Sequence, residues 1–203
     1  MSALNKLLEN YRNTSQTERE KGNYFEELTV TYFKNEPTYK DLYSDVWLYS
    51  EWAAEQGIDG RDTGIDLVAK TNGTDEYHAI QCKCYAEDYR IQKSDIDSFF
   101  TASGKKPFTH RLIVTTTTKW SVHAEDAMAD QNTPVSKIDL DDLENSQIDW
   151  SKYESNQAPT LKKKFDPRPH QQIAIDNVIR EFKTTDRGKL IMVTWFNGFD
   201  YPS

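Results

Sequence analysis

Cysteine is nearly absent: the 203 residues hold two, Cys82 and Cys84. Two thiols one residue apart cannot build a disulfide framework, and they read as reduced thiols of a cytoplasmic protein. Long apolar runs are missing too. A stretch such as Leu190-Ile191-Met192-Val193 is far too short to span a bilayer, so no membrane association is expected. The opening residues lead into an amphipathic pattern rather than an unbroken apolar segment, so no secretory signal is expected. Positive charge is in deficit, with a formal net charge of -8. That excludes nucleic-acid binding by bulk charge, but not through a local basic groove. Internal repeats and low-complexity tracts are also lacking. What is present is aromatic residue, 12% of the chain, which argues for a packed core.

Hydrophobic spacing then lays out the elements. Leu4, Leu7, Leu8 and Tyr11 mark a short amphipathic helix. Thr17, with Glu20 three residues on, forms a capping box that opens a second helix to about Lys34, with Phe25, Leu28, Tyr32 and Phe33 on one face. Pro37 is expected to end it. Asp45 to Trp52 reads as a strand, Ile65 to Ala69 as another, and Asn72-Gly73 as the turn to a return strand from Tyr77 to Tyr85. Ser94 caps a helix through Phe99 and Phe100, Arg111 to Thr118 is a buried strand, Val122 to Ala129 a helix, and Val135 to Ile138 a short strand. The acidic run Asp139 to Trp150 is expected to be a solvated helix or loop. The order predicts an α/β domain over residues 17–150, preceded by a helix in 1–16, with a linker at 151–164 and a second, incomplete unit at 165–203.

The informative chemistry sits on the predicted hairpin. Side chains alternate across a strand, so Gln81 and Lys83 share one face, beside Asp66, and the two cysteines turn to the core. A carboxylate, an amide oxygen and an ammonium at one place suit phosphodiester cleavage. Mg²⁺, or Mn²⁺ in its stead, takes oxygen ligands, lowers the pKa of water and screens phosphate charge. Asp66 is the expected metal ligand. Gln81 is either a weaker ligand or a group that positions water, the backbone carbonyl of Cys82 completes the shell, and Lys83 orients the attacking water. On charge alone, Gln81→Glu is expected to hold or raise Mg²⁺ affinity. The histidines show no ligand spacing and Cys82-x-Cys84 is not zinc spacing. Lys105 and Lys106 with Arg111, and Arg90 with Lys93, are candidate contacts to a DNA backbone, and are equally compatible with a solvated surface.

Gly64-Ile65-Asp66-Leu67, followed by Ala79-Ile80-Gln81-Cys82-Lys83-Cys84, resembles the Mrr-like branch of the PD-(D/E)xK nucleases, in which Gln replaces the second acidic residue. The branch also carries a helix signature of Gly then Phe-Glu, matched here by Gly22 and Phe25-Glu26. On the helical wheel Glu26 lies about 100° from Phe25 and flanks the buried face. The resemblance implies a restriction-endonuclease-like mixed sheet flanked by helices, endodeoxyribonuclease activity on double-stranded DNA, and a role for Glu26 in holding a second water or metal. Asp62 is an outside candidate. The stretches Asp62 to Ala69, Asp95 to Phe100 and Arg111 to Thr116 are further similar to nuclease domains of the single-chain Type ISP restriction-modification enzymes, where helicase, methyltransferase and target-recognition domains follow.

The tail agrees in part. Arg168-Pro169-His170-Gln171 resembles the entry to a RecA-like superfamily 2 helicase domain, in which the residue matched by Gln171 reads adenine. After Leu190 to Val193 a Gly-Lys-Ser/Thr phosphate loop is expected, yet the chain runs Trp195-Phe196-Asn197-Gly198 instead. ATP is therefore expected to serve only an intact parent, not this chain. Two rival readings stay open: a catalytically weak DNA-binding module that braces a helicase, and a repair or resolvase nuclease of the same fold.

Overall fold

The computed structural model describes residues 1–61, 64–154, 157–162 and 169–184. It divides into two compact units, Met1–Lys162 and Lys163–Ser203. In the first, five strands form one mixed sheet in the order β1-β2-β3-β4-β5: Tyr43–Leu48, Leu67–Thr71, Tyr77–Lys83, Phe108–Thr115 and Val135–Ile138. The pairs β1–β2 and β2–β3 are antiparallel, and β3–β4 and β4–β5 parallel. A hairpin joins β2 to β3, with positive φ at Gly73 and Asp75 in its turn.

The sheet is covered on both faces, so its central strands read as apolar runs rather than as a strict alternation. Along β4, Leu112 and Val114 enter one core cluster and Ile113 the other. The first cluster holds α1 (Ala3–Thr14) and α2 (Glu18–Asn35) against Leu67, Ala69 and Ile80. The second packs Trp52 of α4 (Tyr49–Glu55), Phe99 of α5 (Asp97–Ser103) and Ala124 of α6 (Val122–Met128) against Val68 and Ala79. On α2 the predicted stripe Phe25, Leu28, Tyr32 and Phe33 is buried. Each such side chain contributes about 1.5–3 kcal/mol of transfer free energy. Thr17 caps α2 by accepting from the Glu20 N–H, while the Glu20 carboxylate accepts from the Gln16 N–H.

Several local expectations differ from the structure. α2 stops before Pro37 as expected, but Pro37 also begins a further helix, α3 (Pro37–Leu42), because its missing N–H costs nothing at a first helical position. The strand expected to reach Trp52 stops at Leu48 and continues as α4, where the Leu48 N–H donates to Glu51. Ser94 lies inside the turn Lys93–Asp95 before α5 rather than at its cap, and there the Gln92 N–H donates to the Asp95 carboxylate. The acidic segment forms α7 (Leu140–Asn145), and its Leu140 and Leu143, with Ile148 and Trp150 beyond it, enter the core. The segment expected to be linker returns to the first unit: the Asp149 N–H donates to Thr160 and the Lys162 N–H to Gln147. In the second unit, α8 (Pro169–Thr184) carries Gln171. The residues at which a phosphate loop was sought lie outside the described residues. Among the described residues no helix is long and apolar enough to cross a membrane.

Candidate active site

The site is built where the β2–β3 hairpin opens. Pairing of β2 with β3 runs as far as Leu67↔Ile80, after which β3 continues to Lys83 paired with β4 only. Asp66 lies one residue before β2, not within it, and is tied down at three points. Its N–H donates to the Ile80 carbonyl at 3.0 Å, and its carbonyl accepts from Tyr49 N–H at 2.8 Å. Its carboxylate accepts from the Cys82 N–H at 2.6 Å. Hydrogen-bonding direction alternates along a strand. The Cys82 N–H faces Asp66, so its carbonyl turns to that same edge.

Gln81 is 2% exposed. Its Nε2 donates to the Gly64 carbonyl at 3.1 Å. Its Oε1 is buried and, among the described residues, accepts no hydrogen bond. Leaving a buried acceptor unpaired costs about 1–3 kcal/mol. Cys82 and Cys84 are free thiols on the α1–α2 face, Cys84 buried and Cys82 half-buried. Burial pushes the Cys82 thiol well up, and the charges of Asp66 and Glu26 push it further.

Glu26 is half-buried on α2 while Glu27 beside it is exposed, as the helical wheel implies. Glu26 and Asp66 both line a cleft of about 760 Å³ between the first half of α2 and the β1–α4 junction. Arg19, Asn23, Ser50 and Gly60 line it too. Arg19 and Asn23 were not singled out from sequence. Their signal is helical spacing, since they lie seven and three positions before Glu26. Gln81 and Lys83 do not line this cleft. Lys83 is half-buried at the end of β3, opposite Thr115.

The remaining candidates are scattered. Lys105 and Lys106 are exposed before β4, at the end of the sheet where Tyr77 pairs with Phe108, so the length of β3 separates them from Lys83. Arg90 donates to the Trp120 carbonyl at 3.0 Å, and Lys93 is paired with Asp97 at 2.7 Å. Arg111 is 4% exposed and bonded internally, which removes it from any DNA-facing surface. Asp62 lies outside the described residues. Gln171, on α8, belongs to the second unit.

Among the described residues no three His, Cys, Asp or Glu side chains group as a metal cage. The oxygens offered at the hairpin mouth are one carboxylate, one orphaned amide oxygen and one carbonyl. That donor set is all hard, which fits Mg²⁺ or Mn²⁺ with other oxygens filling the shell, and does not fit zinc.

A family model described as a restriction endonuclease, Mrr_cat_2, matches residues 34–160. Among solved structures, the chain is similar to the ATP-dependent Type ISP restriction-modification enzyme LlaBIII bound to DNA, with 36% identity, a TM-score of 0.68 and 95% of this chain covered. The match spans 12% of that enzyme's length. A second similarity, to MspJI restriction endonuclease in complex with an oligonucleotide, has 15% identity and a TM-score of 0.32 over 64% of this chain and 33% of that one. No curated protein matches.

Proposed function

This chain belongs to the restriction endonuclease family, and on that premise we propose that it is a Mg²⁺-dependent nuclease domain that hydrolyses DNA phosphodiester bonds. The observation that carries the proposal is the mouth of the hairpin, where the Cys82 N–H holds the Asp66 carboxylate and the adjacent residue, Gln81, carries a buried, unpaired amide oxygen. Asp66 is bonded to both residues that flank Gln81, through its N–H to the Ile80 carbonyl and its carboxylate to the Cys82 N–H. Asp66, Gln81 Oε1 and the Cys82 carbonyl would hold the cation. When bound, it would lower the pKa of water and offset charge developing on the phosphate. The chain's own residues set the geometry. The Cys82 N–H fixes the Asp66 carboxylate, and Lys83, the last residue of β3, orients water and adds positive charge at the phosphate. Glu26, from across the cleft, holds a second water or cation. The resemblance of the motif implies 5′-phosphate and 3′-hydroxyl products.

The DNA in the structure of the Type ISP enzyme supports DNA as the substrate here. Because this chain spans 12% of that enzyme, we also propose a translocating restriction-modification parent. Its helicase, methyltransferase and target-recognition domains would supply DNA delivery and sequence choice, and Gln171 would reach ATP only there. A second reading, a weakly active DNA-binding module, is favoured by the neutral Gln81, which leaves the hairpin mouth with one carboxylate. Plasmid cleavage with and without Mg²⁺, for the wild-type chain and Asp66→Asn, separates them. Cleavage that needs Mg²⁺ and Asp66 supports the nuclease. DNA binding without cleavage selects the module.

A further inference from the structure

A carboxamide has two unlike ends, one that donates and one that accepts. At Gln81 the structure determines which end goes where. Nε2 donates to the Gly64 carbonyl at 3.1 Å, so Oε1 is the end left over, buried and unpaired. The reverse sense would set two acceptor oxygens against each other. The Gly64 carbonyl is not free to yield. Gly64 has φ +86°, a conformation that side chains disfavour, and it lies tight against the start of α5. A Cβ there would come within 2.9 Å of Ser98 Oγ and 3.2 Å of the Phe99 nitrogen. Phe99 is itself wholly buried, and the neighbouring Ile65 is 4% exposed in the same cluster.

We infer that the Gly64 carbonyl, braced by α5, is a positioning group that presents the Gln81 oxygen to a divalent cation, so that this site requires Gln at 81 and does not accept Glu. The inference rests on the reading of Asp66 and Gln81 as cation ligands. It reverses the expectation from charge counting, by which Gln81→Glu restores a second carboxylate and loses nothing. A carboxylate at 81 would place an anionic oxygen at the Gly64 carbonyl, in a site that is 2% exposed. The carboxylate would have to swing away from that carbonyl and would no longer face the cation in the same sense. Groups that orient a ligand typically govern affinity by about 10-fold to 100-fold.

The test uses the whole chain, with Mn²⁺ alone as the probe. Calorimetry would compare wild type, Gln81→Glu and Asp66→Asn, and urea unfolding without metal would compare wild type, Gln81→Glu and Gln81→Met. Gln81→Glu should bind Mn²⁺ about 10-fold to 100-fold more weakly than wild type. Its metal-free urea midpoint should lie below that of Gln81→Met, which removes the donor without adding repulsion. Equal or tighter Mn²⁺ binding by Gln81→Glu overturns the inference, and so does a midpoint at or above that of Gln81→Met. If Asp66→Asn binds Mn²⁺ like wild type, the cation reading has failed instead. The order of the urea midpoints, which involves no metal, then decides the Gly64 contact by itself.

Discussion

Arg111 and Gln81 are two buried polar side chains on neighbouring parallel strands, and they are treated in opposite ways. Arg111 pairs in register with Ala79, two residues from Gln81, and both side chains lie on the sheet face that α5 covers. Arg111 is satisfied at every nitrogen. Nε donates to Ser103 Oγ, Nη1 to Gln131 and the Thr133 carbonyl, and Nη2 to the Phe100 carbonyl, with the guanidinium over the Phe100 ring. Gln81 is satisfied at its nitrogen and orphaned at its oxygen. A polar network that closes on itself specifies a fold, while one left open in a buried place is held ready for something else. The first two tests pull these roles apart. Asp66→Asn keeps an acceptor for the Cys82 N–H, so the fold should persist, while Mg²⁺-dependent cleavage should fall by about 10³-fold or more, several kcal/mol of lost transition-state stabilisation. Asp66→Ala is the poorer test, because it also strips the Cys82 N–H of its partner. Lys83→Ala should behave like Asp66→Asn in a plasmid assay, with unchanged thermal unfolding. Near-normal cleavage by either variant removes the open end from the chemistry.

The closed network should respond in the opposite sense. Arg111→Leu leaves Ser103, Thr133 and Phe100 without their donor and should cost about 3 kcal/mol of stability, read from urea midpoints. Below the variant's unfolding range, Mn²⁺ affinity should match wild type. A large loss of affinity there would mean that the two networks are one. Between these extremes lies Gln81→Ala. It removes a neutral ligand rather than a charged one, so cleavage should fall by less than in Asp66→Asn, on the order of 10-fold to 100-fold.

This division shows what a linear sequence can and cannot carry. The buried stripe of α2 and the faces of Gln81 and Cys82 were legible, because each follows from a local period of about 3.6 or two residues, while the mixed sheet was implied by the family resemblance. The hairpin that joins β2 to β3 was legible too, since an Asn-Gly turn marks such a connection. The sense of the Gln81 amide was not, because it is set by Gly64 and α5, seventeen residues away on one side and beyond β3 on the other. Arg111 is the same lesson reversed. Its sequence neighbours made it look like a surface cation, and only the crossover through α5 brings Ser103 and Phe100 to cover it. The first strand was misjudged at Trp52 because its aromatic residues suit a strand and a short helix alike, and the cap formed by Glu51 decides. The cleft beside Asp66 joins α2 to the β1–α4 junction, a contact between distant segments that no local pattern announces.

The smallest effect expected concerns the end of the sheet remote from Asp66, where a closed arrangement can be opened by acid. His78 on β3 lies opposite His110 on β4, with ring centroids 5.0 Å apart. His78 Nδ1 is bonded to the Tyr43 hydroxyl at 2.9 Å, and His110 Nε2 to Ser136 Oγ at 3.0 Å. Burial, and then the neighbouring His110, lower the His78 pKa to about 4, with Glu76 opposing weakly. His110 is lowered by burial alone. In the unfolded chain a histidine takes its proton near about pH 6.5. As pH falls from there toward 4, the unfolded state binds a proton that the native state does not, so stability declines across that window. His78 is half-buried, and solvent screening leaves about 1 kcal/mol of this effect. His78→Phe keeps a ring against Tyr43 and removes the titration. The stability lost by wild type between about pH 7 and pH 4.5 should exceed that lost by His78→Phe by about 1 kcal/mol, measured by urea unfolding at both values. Parallel curves for the two chains would mean that acid does not open this end at His78. Mn²⁺ affinity at neutral pH should be the same in both, because the histidines stand at the opposite end of β3 from Gln81.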